Sequence, residues 1–210
     1  MKKNIILIGG GGHCKSCIDV VETEDEFEIA GIVDNDPKRQ RKKVFGYEII
    51  GTDRDLPKLI KQYKNCLITF GMINNARYRE AKFEEIKTLG AKFPVIRSPY
   101  AVISKNAKIG EGTIVMHRAV IIAGARIGKN CIINTGAIIE HDVAVKDHSH
   151  IATGAILNGA TQVGKGVFFG SQSRSVQGAK VGDYALIASG VTVLVDVASN
   201  EKFYGEKVRR

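Results

Sequence analysis

The chain has 210 residues, 44% hydrophobic and 25% charged, with 31 Lys and Arg against 22 Asp and Glu and a net charge of +9. That balance excludes a disordered chain, and no run approaches the ~18–20 continuous apolar residues of a membrane span. Gly is in excess at 23 residues while Pro stands at 4, which excludes collagen-like and Pro-rich compositions and points to many tight backbone positions.

In chain order, residues 1–4 carry two lysines before the apolar run 5–8. That run is shorter than the ~7–15 residues of a signal-peptide core and reads as a buried first strand. Four glycines and His13 follow, then a helical stretch carrying Ile18 and Val21. Residues 28–33 form a second strand ending at Asp34, and 44–50 an extended segment around Gly46. Residues 53–63 are helical, 66–70 a third strand, 75–89 a helix and 92–96 a last strand before Pro99. Strands alternating with helices predict a small parallel, Rossmann-like α/β domain over residues 1–97. Its ligand crevice lies beyond the carboxyl ends of the strands, where residues 9–13, 34–35 and 71–75 fall.

The glycine loop departs from the dinucleotide fingerprint G-x-G-x-x-G, because counting from Gly9 places Cys14 at the third glycine. It is either a tight strand-to-helix turn or a helix start whose N–H groups cradle a phosphate. Cys14 and Cys17 form the single C-x-x-C among the four cysteines. With no second Cys/His pair at ligand spacing, core thiols are favoured over a redox or zinc half-site. Reduced thiols suit a cytoplasmic protein.

From residue 103 the sequence has a period of six. The series Ile103, Ile109, Val115, Ile121 and onward to Val193 has sixteen members, of which Ser175 alone is not apolar. Four residues after each stands a small or short side chain, such as Ala119, Ala125, Cys131 and Ala137. Neither helical nor strand periodicity produces a large and a small position every six residues. Stacked short strands with corners between them do, so a parallel β-helix is predicted over residues 98–210. The glycines one place after an inward aliphatic (Gly110, Gly128, Gly164, Gly170, Gly182) are expected to serve its corners.

Runs such as Ile109-Gly110-Glu111-Gly112-Thr113 and Ile127-Gly128-Lys129-Asn130-Cys131 resemble the hexapeptide-repeat acyltransferases. The glycine–His13 loop, Val33-Asp34 and Ile139-Glu140-His141-Asp142 together resemble, more narrowly, the PglD/NeuD-type sugar acetyltransferases. The resemblance spans residues 4 to about 197. It implies a left-handed β-helix, a homotrimer, acetyl-CoA as co-substrate and a nucleotide-linked amino sugar as acceptor.

It also implies roles. His141 is the general base, assisted by Asp142; a histidine suits the task because its ordinary pKa lies near 6.5. His150, Gly159 and Ser171 line the acetyl-CoA groove. Gly11, Gly12, His13, Asp34, Asn35 and Asn75, with Asn74 as fallback, hold the sugar nucleotide. His117 and His148 have no family match and are expected at the surface. The basic tail residues Lys202, Lys207, Arg209 and Arg210 are read as solvated.

Other readings stay open. A sialic-acid-type hydroxyl is an alternative acceptor. A zinc carbonic-anhydrase-like site using His148 and His150, or an inert scaffold, is the alternative from another class. No metal is expected, since zinc catalysis needs three converging protein ligands. Neither membrane insertion nor nucleic acid is expected, because no recognition helix or aromatic platform accompanies the dispersed basic residues.

Overall fold

The computed structural model describes residues 2–40, 42–73 and 76–205. Asn74 and Asn75, and the tail residues Lys207, Arg209 and Arg210, lie outside the described residues.

The first part runs β1 (Lys3–Ile8), α1 (Gly12–Glu24), β2 (Phe27–Val33), β3 (Lys43–Val44), β4 (Tyr47–Gly51), a short 3-10 turn (Asp53–Asp55), α2 (Leu56–Tyr63), β5 (Asn65–Ile68) and α3 (Ala76–Thr88). The sheet order is β3-β4-β2-β1-β5. Side chains alternate along β1, so the strand is buried on both faces. Ile5 and Leu7 pack with Cys14, Cys17, Ile18 and Val21 of α1; Ile6 and Ile8 pack with Leu56 and Ile60 of α2 and Phe83 and Ile86 of α3.

Two strand readings are corrected. The segment around Gly46 is a β3–β4 hairpin with antiparallel pairing, turned by Phe45 and Gly46 at positive φ; only β4 continues the parallel sheet beside β2. Lys92 makes an isolated bridge to Asn65, and Pro94, which has no N–H to donate, interrupts the expected strand. The strand that does form, β6 (Ile96–Arg97), pairs with Ile114–Val115 in the β-helix.

From Val102 the chain winds as a left-handed parallel β-helix of two-residue strands in three sheets. Val120 pairs with Ile138 and Ile138 with Ile156, which fixes 18 residues per coil. The first sheet holds Val102–Ile103, Val120–Ile121, Ile138–Ile139, Ile156–Leu157, Arg174–Ser175 and Thr192–Val193. The second begins at Lys108–Ile109 and ends at Lys180–Val181; the third contains β6, His150–Ile151 and Phe168–Phe169. The aliphatic series and the small residues four places later fill the interior, fully buried from Val115 to Ile187 apart from slight exposure at a few rungs. Ser175 is buried too, and its hydroxyl is satisfied by Thr161 Oγ1 at 2.8 Å and by the Asn158 N–H at 3.1 Å.

The corners are not where the glycine pattern put them. Every sixth residue from Gly112 to Gly190 has positive φ, including Asn130, Asp142, His148 and Tyr184. The chain turns there, two places after Gly110, Gly128, Gly164, Gly170 and Gly182. Those glycines answer a different demand: a Cβ on Gly110 would stand 2.7 Å, and on Gly170 2.6 Å, from the backbone of the next coil.

The α/β unit docks on the third sheet, where Ile96, Ile114, Met116 and Ile132 join the α1-side core. No described helix is long and apolar enough to cross a membrane.

Candidate functional site

The carboxyl ends of β1, β2 and β5 open into a cleft of about 200 Å³, lined by Gly9, Gly11, Asp34, Asn35, Asp53, Phe70 and Lys82 among others. Asp34 is nearly buried. Its carboxylate accepts from Gly10 N at 2.5 Å, Asp36 N at 2.7 Å and Arg39 Nη1 at 3.1 Å, so it clamps the glycine loop. Gly11 caps α1 and Gly12 opens it. Asn35 faces Asp53, donating to Oδ2 at 2.6 Å and accepting from its N–H at 2.9 Å; Lys82 Nζ donates to the same oxygen at 2.6 Å. Asp53 and Lys82 were missed by sequence reasoning, since they stand in ordinary amphipathic stretches and meet only through the fold.

His13 lies in the first turn of α1 but turns inward, with Nε2 buried and unpartnered. Its ring centroid is 6.3 Å from that of His150, which projects from the third sheet. His150 Nδ1 donates to Met72 O at 2.9 Å, and Asn134 Nδ2 approaches its Nε2 at 3.1 Å, fixing the tautomer. Burial first, then the Arg79 charge and His150, pushes His13 down to about 3; burial and Arg79 bring His150 to about 4. Both rings are neutral near pH 7. Residues assigned to different ligands thus share one buried junction.

His141 and Asp142 sit on the corner between the first and second sheets. His141 Nδ1 is 3.0 Å from Asp142 Oδ2, and the side chain is about half exposed. An added Cβ on Gly159, one coil on, would meet His141 Nε2 at 2.5 Å, so glycine makes the room for the ring. With Nδ1–H held by the carboxylate, Nε2 is left as the proton acceptor. Ser171 occupies a different corner, between the third and first sheets, and within one protomer it does not share a groove with Gly159.

The surface reading of His148 is corrected, whereas His117 is partly exposed. His148 is buried, its ring edge-on to Phe83 at 5.5 Å and its Nδ1 3.0 Å from Asn130 Nδ2. His117 ties α1 to the β-helix, between Asp19 Oδ2 at 2.8 Å and Ser98 Oγ at 2.6 Å. Cys14 and Cys17 are core thiols, and burial pushes Cys14 up to about 11 and Cys17 further up. Among the described residues, no three His, Cys, Asp or Glu side chains converge as a metal site.

Residues 4–86 match the PglD N-terminal domain family, and residues 106–141 match the bacterial transferase hexapeptide family. The structure of PerB from Caulobacter crescentus, in complex with CoA and GDP-perosamine, superposes with a TM-score of 0.86 at 30% identity, covering 93% of this chain and 91% of that one. The chain belongs to the PglD-type sugar acetyltransferases of the hexapeptide-repeat superfamily. A second structure, the acetyltransferase domain of PglB from Neisseria gonorrhoeae FA1090 in complex with acetyl coenzyme A, gives a TM-score of 0.85 at 30% identity over 96% and 98% of the two chains. Among curated proteins, UDP-N-acetylbacillosamine N-acetyltransferase of Bacillus subtilis (strain 168) is 30% identical over 114 residues, 54% of this chain. The match spans about half of that relative, 51% of its length.

Proposed function

We propose that this PglD-type protein transfers acetyl from acetyl-CoA to the amine of a nucleotide-linked amino sugar. The observation that carries the reading is the His141–Asp142 pair, exposed beside Gly159 on an acyltransferase β-helix. The relatives support the ligands: PerB holds CoA and GDP-perosamine, and a histidine-to-asparagine variant of perosamine N-acetyltransferase holds both as well. The crevice holding Asn35, Asp53 and Lys82 takes the nucleotide; Gly11, Gly12, His13, Asp34 and Asn75 belong to its seat.

In the proposed step the sugar nitrogen attacks the thioester carbonyl carbon, and a C–N bond forms. His141 Nε2 accepts the amine proton, Asp142 stabilises the imidazolium, and the proton passes to the departing sulfur as the C–S bond breaks. No acyl-enzyme is required.

Two places in the protein must meet for this. The α/β unit covers the third sheet, whereas His141 stands on the corner opposite that sheet. A homotrimer resolves the separation. The outward row of the first sheet runs Val102, Val120, Ile138, Ile156, Arg174 and Thr192, apolar along its first four rungs with Val102 64% exposed, whereas the second sheet presents Lys108, Arg126, Ala144, Gln162 and Lys180. Packing first sheets around a common axis brings the His141–Gly159 corner of one protomer against the Ser171 corner and crevice of the next. Acetyl-CoA then lies between protomers, touching Gly159 of one and Ser171 and His150 of the other. Both substrates are cytoplasmic metabolites, which is where we place the protein.

The test is thiol release from acetyl-CoA with UDP-, dTDP- and GDP-linked amino sugars. Turnover with one nucleotide class is expected. Silence with every amino sugar, or turnover with a free sialic acid instead, overturns the reading.

A further inference from the structure

Among the described residues Arg79 is the largest fully buried side chain, 1% exposed, and it carries a charge with no carboxylate partner there. Its guanidinium lies over the Phe70 ring, 5.9 Å from the centroid, and its hydrogen bonds go to carbonyls. Nη1 donates to Ile68 O at 3.2 Å and Phe70 O at 2.7 Å, Nε donates to Asn130 O at 3.3 Å, and Nη2 is buried with no partner. Burying a lone guanidinium costs free energy that an apolar side chain at this point of α3 would not, so stability alone does not account for it.

What the guanidinium holds is informative. Ile68 and Phe70 flank Thr69, whose hydroxyl donates to Gly9 O at 2.7 Å, and the Phe70 ring stands against Gly9 and walls the crevice. Asn130 lies on a corner of the β-helix. One side chain therefore ties the carboxyl end of β5, and through it the glycine loop, to the β-helix. The titratable groups around the guanidinium are Cys17 and His13 of α1 and Cys131 and His150 of the β-helix, all uncharged at neutral pH.

We infer that Arg79 is a positioning residue for acetyl transfer: it ties the carboxyl end of β5, and with it the glycine loop, to the β-helix, so that the crevice is preformed for the sugar nucleotide. This rests on the proposed reading of the crevice.

The experiment compares Arg79→Met and Arg79→Lys with wild-type protein. In Arg79→Met, KM for the sugar nucleotide is expected to rise at least tenfold while KM for acetyl-CoA stays within twofold. Amides of residues 66–73 should lose hydrogen-exchange protection. Arg79→Lys keeps the charge but not the fork of donors; it should leave the KM for the sugar nucleotide high. Unchanged exchange protection overturns the inference, as does an equal rise in both KM values. If Arg79→Met does not fold, Arg79→Lys decides: a wild-type KM there overturns the inference. Exchange protection is read without substrate, so failure of wild-type protein to turn over any sugar nucleotide would count against the proposed function and not against Arg79.

Discussion

Asp142 turns back on His141 because its backbone is left-handed, with φ of 60°, and this brings Oδ2 to 3.0 Å from the Nδ1 of its neighbour in the chain. Adjacent residues on a regular strand point to opposite faces. The pair exists because the corner of the β-helix falls on Asp142, and Asp is among the few non-glycine residues that take this conformation readily.

Steady-state kinetics should separate the two roles. His141→Ala is expected to lower kcat by about 10²–10⁴, the usual contribution of a general base, with KM for acetyl-CoA nearly unchanged. Asp142→Asn keeps the turn and a hydrogen-bond acceptor but removes the charge, and should lower kcat by roughly tenfold. A His141→Ala enzyme with kcat near that of the wild type would remove His141 from the mechanism.

Gly159→Ala tests the space beside the ring. The added Cβ meets Nε2, the far end of an exposed side chain, at 2.5 Å, and the histidine swings away cheaply. Melting temperature should therefore shift by no more than a few degrees, while kcat falls at least tenfold because a displaced base is out of line. Equal activity in Gly159→Ala would show that the ring is not used in this position.

How far the sequence carried depended on the range of the interaction. The β-helix was legible because its register repeats locally: Ile121, Ile127 and Ile133 all point inward in every coil. Its glycines were misread because Gly110 and Gly170 serve contacts 18 residues away, not the turn beside them. His141 and Asp142 are neighbours in the chain and were found together. Arg79 and Lys82 reach partners 51 and 29 residues distant, in a helix where nothing in the local pattern separates them from solvated charges. His13 and His150 were each singled out, yet their meeting follows from the docking of two units.

The two glycine demands predict stability costs of different size. Gly170→Ala places a Cβ 2.6 Å from the backbone of Ala188, which cannot move without its coil, and should cost about 2 kcal/mol or more. Gly178→Ala, at φ of 73° with open space around it, should cost only about 1 kcal/mol, the penalty for a left-handed alanine. Urea midpoints of the two variants check the order; a reversed order would mean the corners, not the coil contacts, limit stability.

Mixed trimers test whether the site is shared. Gly11 lines the crevice and a Cβ there meets nothing within 4 Å, so Gly11→Leu is expected to fill the crevice and leave the fold intact. His141→Ala and Gly11→Leu proteins should each be inactive alone. Refolded together, they should recover about a quarter of wild-type activity, because one junction in four then pairs an intact crevice with an intact base across the symmetric interface. No recovery from well-mixed trimers would place crevice and base in one protomer.

Stability against pH should carry opposing contributions. His13 and His150 titrate near 3 and 4 in the fold, below the ordinary 6.5, so the unfolded chain binds more protons once pH drops below about 6.5. Each neutral imidazole then destabilises the fold as pH falls, by about 2 kcal/mol at pH 5. Glu24 acts the other way. Burial raises it to about 7, with Oε2 unpartnered, so its protonated form is favoured in the fold and stability is lost as pH rises from about 4.5 through 7. Glu24→Gln should therefore be more stable than wild type at pH 8, and the gap should close toward pH 5. In that background the histidine slope is exposed, and urea unfolding between pH 7 and pH 5 should lose up to ~4 kcal/mol. A flat profile in Glu24→Gln would mean that the junction opens and hydrates its histidines before the protein unfolds.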